Sequence, residues 1–279
     1  MYNKHVNEML KEFQIDSLND LMSAFREIAQ KIVLIGFART KIFNQIAFYG
    51  GTSLRIFHGL ERFSEDLDFT VIEGKLNEDM FNDAMNMALK ELGVYGIEAQ
   101  ATQKDNTYNT LMMRKYIKFK VRDIIADYFP GQYNCHPDAN VTIKIEVDFD
   151  ESKKQGAKFE NKIIDYPDFA SVKVFDYPSL FAGKLGALLF RNWRTRVKGR
   201  DFYDYLFYVS NHVSPNMEYL SYKIGETFNM DALKAALKER FETVDLEQAK
   251  QDVLSFVRSD RFMNAWSKEL FLSTIDNIK

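Results

Sequence analysis

The stretch from Ile46 to Ile72 constrains the fold most, because two short apolar runs enclose a glycine pair and an aspartate pair. The runs "IAFYG" and "LDFTVI" have the length and composition of buried strands. Between them, "TSLRIFHGL" has the spacing of a short helix. The stretch therefore predicts the order strand, Gly-Gly turn, helix, Asp-x-Asp strand.

The glycine pair lies where the first strand passes into the helix. Gly50 and Gly51 have no side chains, so the backbone there can approach a ligand closely. The first N–H groups of the helix, near Thr52 and Ser53, have no partner within it and lie at its positive end. These groups form a phosphate cradle, to which the Thr52 and Ser53 hydroxyls can add contacts.

The aspartate pair predicts a metal site. Asp66 and Asp68 are two residues apart, so on a strand both carboxylates lie on one face, with Cβ atoms ~6.6 Å apart. Leu67 and Phe69 then face the core. Adjacent ionised carboxylates repel, and a divalent cation removes that cost. Hard oxygen ligands favour Mg²⁺ or Mn²⁺ together with substrate phosphates.

A third carboxylate is expected from a neighbouring strand. The run "NVTIKIEVDF", residues 140–149, alternates strictly and is a clear strand. Glu146 lies on its polar face and is the preferred third metal ligand, while Asp148 on the same face is the alternative.

The pattern changes near residue 175, where strand-like alternation gives way to helical spacing. The sequence thus predicts an α+β region over residues 1–175 and a helical region over residues 176–279. Strands are also predicted in "GIEAQATQ" and "MRKYIKFKV", and a helix is predicted to start at the proline of "DYPSL". Further helices are predicted at 17–42, 77–93, 201–211, 216–227, 230–242, 245–257 and 260–277.

The helical region contains a second set of candidate residues. Lys184 lies among apolar neighbours in "FAGKLGALLFR" and is predicted to reach the β- and γ-phosphates of an NTP, an ordinary surface lysine being the alternative. No acidic residue lies between Tyr177 and Arg200. Arg191 and Arg200 are therefore candidate phosphate contacts, unless the run is only a solvated loop.

Two aspartates follow that basic run in "RDFYDYLFY". Asp201 or Asp204 could orient Lys184 or Arg200, or act as a general base for an acceptor hydroxyl. Asp201 could also be a simple helix cap.

Composition limits the other possibilities. The formal net charge is -3, so any polyanion must bind a local patch. One cysteine excludes an intrachain disulfide, and the P-loop, dinucleotide, esterase and zinc-protease motifs are absent. No apolar run approaches the ~20 residues of a membrane helix, so we expect a cytoplasmic protein without a membrane partner.

The motifs resemble a known family. "GGTSLR" followed by "RFSEDLDF" resembles the signature of the nucleotidyltransferase superfamily, and more narrowly that of its AbiEii/AbiGii toxin branch. "KLGALLFR" and "GRDFYDY" resemble the downstream motifs of that branch, so the resemblance covers roughly residues 45–210.

The resemblance implies a polymerase-β-like nucleotidyltransferase lobe, a mixed sheet with helices, followed by a helical lobe. It implies that Gly50, Gly51 and Thr52 contact the triphosphate and that Asp66 and Asp68 hold metal. Lys184 with Asp201 or Asp204 would supply the second motif pair. Arg62 and Ser64 lie within "RFSEDLDF" and are candidate nucleotide contacts.

The resemblance also implies transfer of a nucleotide from an NTP to a macromolecule, with tRNA as the expected acceptor. The protein would be the toxin of a toxin–antitoxin or abortive-infection system, with a cognate antitoxin encoded nearby. The alternatives are transfer to a small molecule or a protein hydroxyl, and a non-catalytic NTP-binding protein.

Overall fold

The computed structural model describes residues 4–72, 76–103, 111–133, 136, 139–150, 154–191, 196–257 and 262–279. The chain divides into two compact units. The first consists of Met1–Thr52, Ser64–Asp150 and Asn161–Val174, and the second of Ser53–Phe63, Glu151–Glu160 and Phe175–Lys279.

The strands are β1 (Ile46–Tyr49), β2 (Asp66–Val71), β3 (Ala99–Gln103), β4 (Met112–Lys120), β5 (Asn140–Asp148), β6 (Phe159–Ile164) and β7 (Ala170–Phe175). The helices up to β5 are α1 (Lys4–Leu10), α2 (Leu18–Ala38), α3 (Gly50–His58), α4 (Glu78–Val94) and α5 (Arg122–Tyr128). Those after β7 are α6 (Tyr177–Phe190), α7 (Gly199–Ser210), α8 (Met217–Ile224), α9 (Met230–Thr243), α10 (Leu246–Leu254) and α11 (Lys268–Thr274).

The first unit is built on a mixed sheet in the order β3-β4-β5-β2-β1-β7-β6. The central strand β2 pairs antiparallel with β1 and parallel with β5. β4 runs antiparallel to both of its neighbours, β3 and β5. This mixed sheet with its helices confirms the predicted α+β class.

Helices α2 and α4 pack against one face of this sheet. Phe37 of α2 contacts Phe69 of β2, and Phe25 of α2 contacts Phe119 of β4. The two helices approach closely at Gly36, where an added Cβ would lie 2.6 Å from the Ala88 Cα. Because this face is apolar, the polar residues of the alternating strands lie on the opposite face.

The second unit is mainly helical and has an aromatic core. Asp176 caps α6 by accepting a hydrogen bond from the Ser179 N–H. Phe181 of α6 stacks on Tyr208 of α7, with ring centroids 4.5 Å apart. α7 begins against α10, where an added Cβ on Gly199 would lie 1.7 Å from the Ala249 carbonyl oxygen. Only glycine allows that approach.

Several predicted helix boundaries need correction. The helix predicted over 17–42 ends at Ala38, where residues 39–41 form a turn that leads into a 3-10 helix at Ile42–Asn44. The helix predicted over 260–277 lies partly outside the described residues, and within them it begins only at Lys268. Residues 262–265 form turns and Trp266 lies in irregular chain, although Met263 and Trp266 are buried. The apolar spacing here therefore indicates burial and not a helix.

Four elements of the described chain were not predicted, namely α1, α5, β6 and β7. α1 and α5 have only seven residues each, which is too short to establish a helical period. Among the described residues, none of the helices combines the length and the apolar character needed to cross a membrane.

Candidate active site

The first turn of α3, which begins at Gly50 directly after β1, is held against the aspartate strand. Gly50 has a φ of 86°, and an added Cβ would lie 2.6 Å from Oδ2 of Asp68. The Thr52 hydroxyl donates to the main-chain oxygen of Asp66 at 2.5 Å and fixes the start of α3 on the start of β2. Glycine is required here both for its backbone conformation and for the space that the Asp68 carboxylate occupies.

The hydroxyls expected to touch a ligand at this turn are buried. Thr52 is 1% exposed, and its hydroxyl bonds to the backbone as described. Ser53 is fully buried, and its Oγ has no hydrogen-bond partner within the described chain. What the turn offers a ligand is therefore its backbone N–H groups, since side-chain oxygens at this point face inward.

Asp66 and Asp68 share one face of β2. Both are half-buried, while Leu67 and Phe69 between and after them are fully buried on the other face. In the register of the sheet, Asp68 lies opposite Glu146 of β5. The expected faces of β2 are thus confirmed, and the strand pairing places the preferred third carboxylate beside the pair.

Glu146 is held by two cations. Arg114 Nε of β4 donates to one carboxylate oxygen, and Lys144 Nζ lies 2.6 Å from the other. Burial raises the pKa of Glu146, but the hydrogen bonds from Lys144 and Arg114 outweigh it, so this pKa lies below its usual value. Glu146 is therefore an ionised carboxylate whose oxygens are already engaged.

The alternative carboxylate, Asp148, is placed differently. It is 3% exposed, lies opposite Thr70, and accepts a hydrogen bond from the Asp150 N–H at 2.9 Å. That contact ties it to the chain that leaves β5.

The carboxylates on this face of the sheet match only part of what a hard divalent metal requires. Asp66 and Asp68 supply two carboxylates side by side, and Mg²⁺ commonly binds one or two carboxylates together with waters and substrate phosphates. No group of three or more His, Cys, Asp or Glu side chains is arranged for a metal among the described residues. The two aspartates fit the metal, whereas Glu146 is engaged by Arg114 and Lys144.

The second unit contains a buried cluster of charges, which we call the Asp204 cluster: Arg62, Lys184, Arg191, Asp201 and Asp204. Arg62 binds both oxygens of the fully buried Asp204 carboxylate at 2.6 Å. Lys184 Nζ lies 2.7 Å from Asp204 and 2.9 Å from Asp201. Arg191 binds the other oxygen of Asp201 at 2.8 Å.

Asp204 and Lys184 stay charged despite their burial. Burial raises the pKa of Asp204, but Arg62 and Lys184 outweigh it and hold that pKa below its usual value. Burial likewise lowers the pKa of Lys184, and the two aspartates more than reverse this. Asp204 is therefore a weak base, better suited to holding cations than to accepting a proton.

The remaining predicted residues occupy less enclosed positions. The main-chain oxygen of Ser64 accepts a hydrogen bond from Gln30 Nε2 at 3.2 Å. The Arg200 guanidinium lies 4.4 Å from the centroid of the Phe256 ring. Arg191 is more exposed than the rest of its cluster, with 40% of its side chain accessible. The middle of the basic run, residues 192–195, lies outside the described residues.

Sequence reasoning missed two residues next to the aspartates, Arg114 and Lys144. The alternation of β5 places Lys144 on the same face as Glu146, which was a usable signal. Nothing in the sequence pairs Arg114 with Glu146, because that contact depends on the register of β4 against β5. The same holds for Arg62 and Asp204, which are 142 positions apart.

A Gly-Gly pair set against an Asp-x-Asp strand of a mixed sheet is the arrangement that the resemblance to nucleotidyltransferases predicts. The sequence model of the family described as "Nucleotidyl transferase AbiEii toxin, Type IV TA system" matches residues 32–270, and the chain belongs to this family. Membership identifies a nucleotidyltransferase toxin and confirms the predicted family and enzyme class. The family implies an NTP substrate, a divalent metal and an antitoxin partner.

A solved structure with a TM-score above 0.5 supports the fold. A crystal structure described as a "putative nucleotidyltransferase from H. pylori" is 21% identical, with a TM-score of 0.53, over 90% of this chain and 89% of that one. JHP933 from Helicobacter pylori is 20% identical, with a TM-score of 0.47, over 91% of this chain and 88% of that one. The comparison with curated proteins found no match.

Proposed function

We propose that this toxin transfers a nucleoside monophosphate from an NTP to tRNA, using Mg²⁺ or Mn²⁺ held by Asp66 and Asp68. The observation that supports this most is the contact of the Asp68 carboxylate with the Gly50 turn. It supports the proposal because a backbone segment able to bind phosphate and carboxylates able to bind a metal then lie within one ligand's reach.

The chemistry is displacement at the α-phosphorus. An acceptor hydroxyl forms a new P–O bond, the bond from the α-phosphorus to the bridging oxygen breaks, and pyrophosphate leaves. The hydroxyl proton passes to a base or to water. A divalent metal held by Asp66 and Asp68 would neutralise charge on the phosphate oxygens.

The turn at Gly50, Gly51 and Thr52 is our candidate for binding the triphosphate through main-chain N–H groups. Lys184 is our candidate cation for a phosphate group, and within its own unit Asp201 and Asp204 hold its ammonium in place. Because Asp204 is fully buried and paired with two cations, we assign it to positioning Lys184 and not to proton transfer.

The first experiment incubates the protein with Mg²⁺, total tRNA and each α-³²P-labelled NTP in turn, followed by a denaturing gel. We expect a labelled tRNA band with wild type, none with Asp66→Asn, and a normal band with Asp165→Asn, which changes an exposed aspartate. Label in the protein band alone would identify a protein hydroxyl as the acceptor. A labelled small molecule with unlabelled tRNA would identify a small acceptor, and either result would reject tRNA.

A further inference from the structure

Arg114 and Lys144 form a cationic pair on the same face of the sheet as the aspartates. Both bind the Glu146 carboxylate, so the group of three carries a net positive charge. Each cationic side chain is 31% exposed, whereas the Glu146 side chain is 17% exposed. Neutralising Glu146 requires one cation, and Asp66 and Asp68 lie on the same face. The divalent metal that the proposed function assigns to the two aspartates offsets their charge, so the second cation leaves charge available to an anionic ligand.

The pair lies on the opposite side of the aspartates from the glycine turn. β1, which ends at that turn, borders β2 on one side, and β5 borders it on the other. Lys144 lies opposite Asp66, and Arg114 is one strand further out, opposite Glu146. At ~4.8 Å between strands, the Arg114 backbone is about 10 Å from that of the aspartate strand.

The order of these groups matches an in-line displacement. In phosphoryl transfer, the attacking and leaving oxygens lie on opposite sides of the phosphorus. If the glycine turn binds the triphosphate, pyrophosphate leaves on the β1 side. The acceptor hydroxyl then approaches from the β5 side, where the cationic pair lies.

We infer that Arg114 and Lys144 bind a backbone phosphate of a polynucleotide acceptor beside the attacking hydroxyl, an inference that rests on the proposed function. Arginine offers a planar fork that matches phosphate oxygens, and lysine adds a compact charge. A protein or small-molecule hydroxyl has no phosphodiester to engage this pair. Glu146 holds both side chains at the site until the acceptor arrives.

The test measures binding of 5′-labelled tRNA by fluorescence anisotropy between 50 and 200 mM salt. Arg114→Gln and Lys144→Gln are compared with Lys120→Gln, the matched control. Lys120 lies about 20 Å further along the same strand, by its rise per residue. It is 65% exposed.

We expect each site variant to weaken tRNA binding by about tenfold, as for a lost charge-assisted hydrogen bond. The slope of log affinity against log salt should fall by about 0.7–0.9 per lost contact. KM for tRNA should rise by the same factor while KM for NTP stays constant. Arg114→Lys should restore the salt slope but only part of the affinity.

Wild-type affinity and slope in both site variants would overturn the inference, as would failure of the wild-type protein to bind tRNA. The inference would also be overturned if weaker tRNA binding came with an equally raised KM for NTP and a lowered melting temperature. Such a result would indicate a structural role. The experiments distinguish failure of this inference from failure of the proposed function. Labelling that depends on Asp66 but not on the cationic pair would leave the proposed function standing, whereas Arg114-dependent binding without labelling would reject only the transfer.

Discussion

Replacing Asp204 with asparagine should strongly destabilise the second unit. The carboxylate accepts two hydrogen bonds of 2.6 Å from Arg62, and Lys184 lies 2.7 Å away. The Arg62 side chain is only 3% exposed, and its other described hydrogen bond goes to the main-chain oxygen of Phe63. Lys184 retains Asp201 as a counter-charge, but Arg62 loses its carboxylate partner.

Removing one partner of a buried ion pair costs about 3–5 kcal/mol, because the remaining charge stays desolvated. We therefore expect Asp204→Asn to lower the free energy of unfolding by roughly that amount, measured by urea denaturation followed by circular dichroism. The matched control is Asp276→Asn, which changes a side chain that is 94% exposed and pairs loosely with Lys234 at 3.8 Å. This control should have the same free energy of unfolding as the wild type.

A double-mutant cycle separates the pair from other effects of the substitution. If the cost comes from an uncompensated guanidinium, Arg62→Gln combined with Asp204→Asn should be less destabilised than the sum of the two single variants. A loss below about 1 kcal/mol in Asp204→Asn, or strict additivity in the cycle, would show that solvent compensates the buried arginine and would refute the argument.

Three further predictions follow from the same contacts. Gly50→Ala should reduce nucleotide transfer at least tenfold, because the added Cβ would displace the Asp68 carboxylate, which lies 2.6 Å away. Its control is Gly59→Ala, where φ is 75° and the space is open; this variant should lower stability but leave kcat unchanged. Gly199→Ala should lower the melting temperature because its Cβ would meet a main-chain oxygen of α10 at 1.7 Å, whereas Gly93→Ala, with no atom within 4 Å, should not. The folded-state pKa of Asp204 lies below its unfolded-state value of ~3.9. The difference in unfolding free energy between wild type and Asp204→Asn should therefore be complete above pH ~3.9 and should shrink below it, as measured by urea titrations. A constant difference down to about pH 2 would contradict this.

Local rules predicted the parts of the site that depend on a few consecutive residues. The two-residue period of a strand places Asp66 and Asp68 on one face, and the backbone conformation at Gly50 requires glycine. The strand carrying Glu146 was also visible from its alternation. In each case the physical cause lies within about ten residues of chain.

Contacts between distant segments could not be predicted in this way. Glu146 lies opposite Asp68 because of the register between β2 and β5. Its hydrogen bond from Arg114 depends on the register between β4 and β5. Arg62 looked like part of a nucleotide-binding motif, yet its guanidinium is directed into the Asp204 cluster. Helix ends were missed where buried apolar residues lie in turns, as at Met263.

The origin of Arg62 limits how the protein can be cut into fragments. Arg62 belongs to the segment Ser53–Phe63, yet it neutralises a carboxylate of α7 more than a hundred positions later. A fragment of residues 176–279 would contain Asp204 and Lys184 without that arginine. Its buried carboxylate would then rely on the lysine alone, so the helical segment should express as a folded species only when the earlier segment is supplied with it.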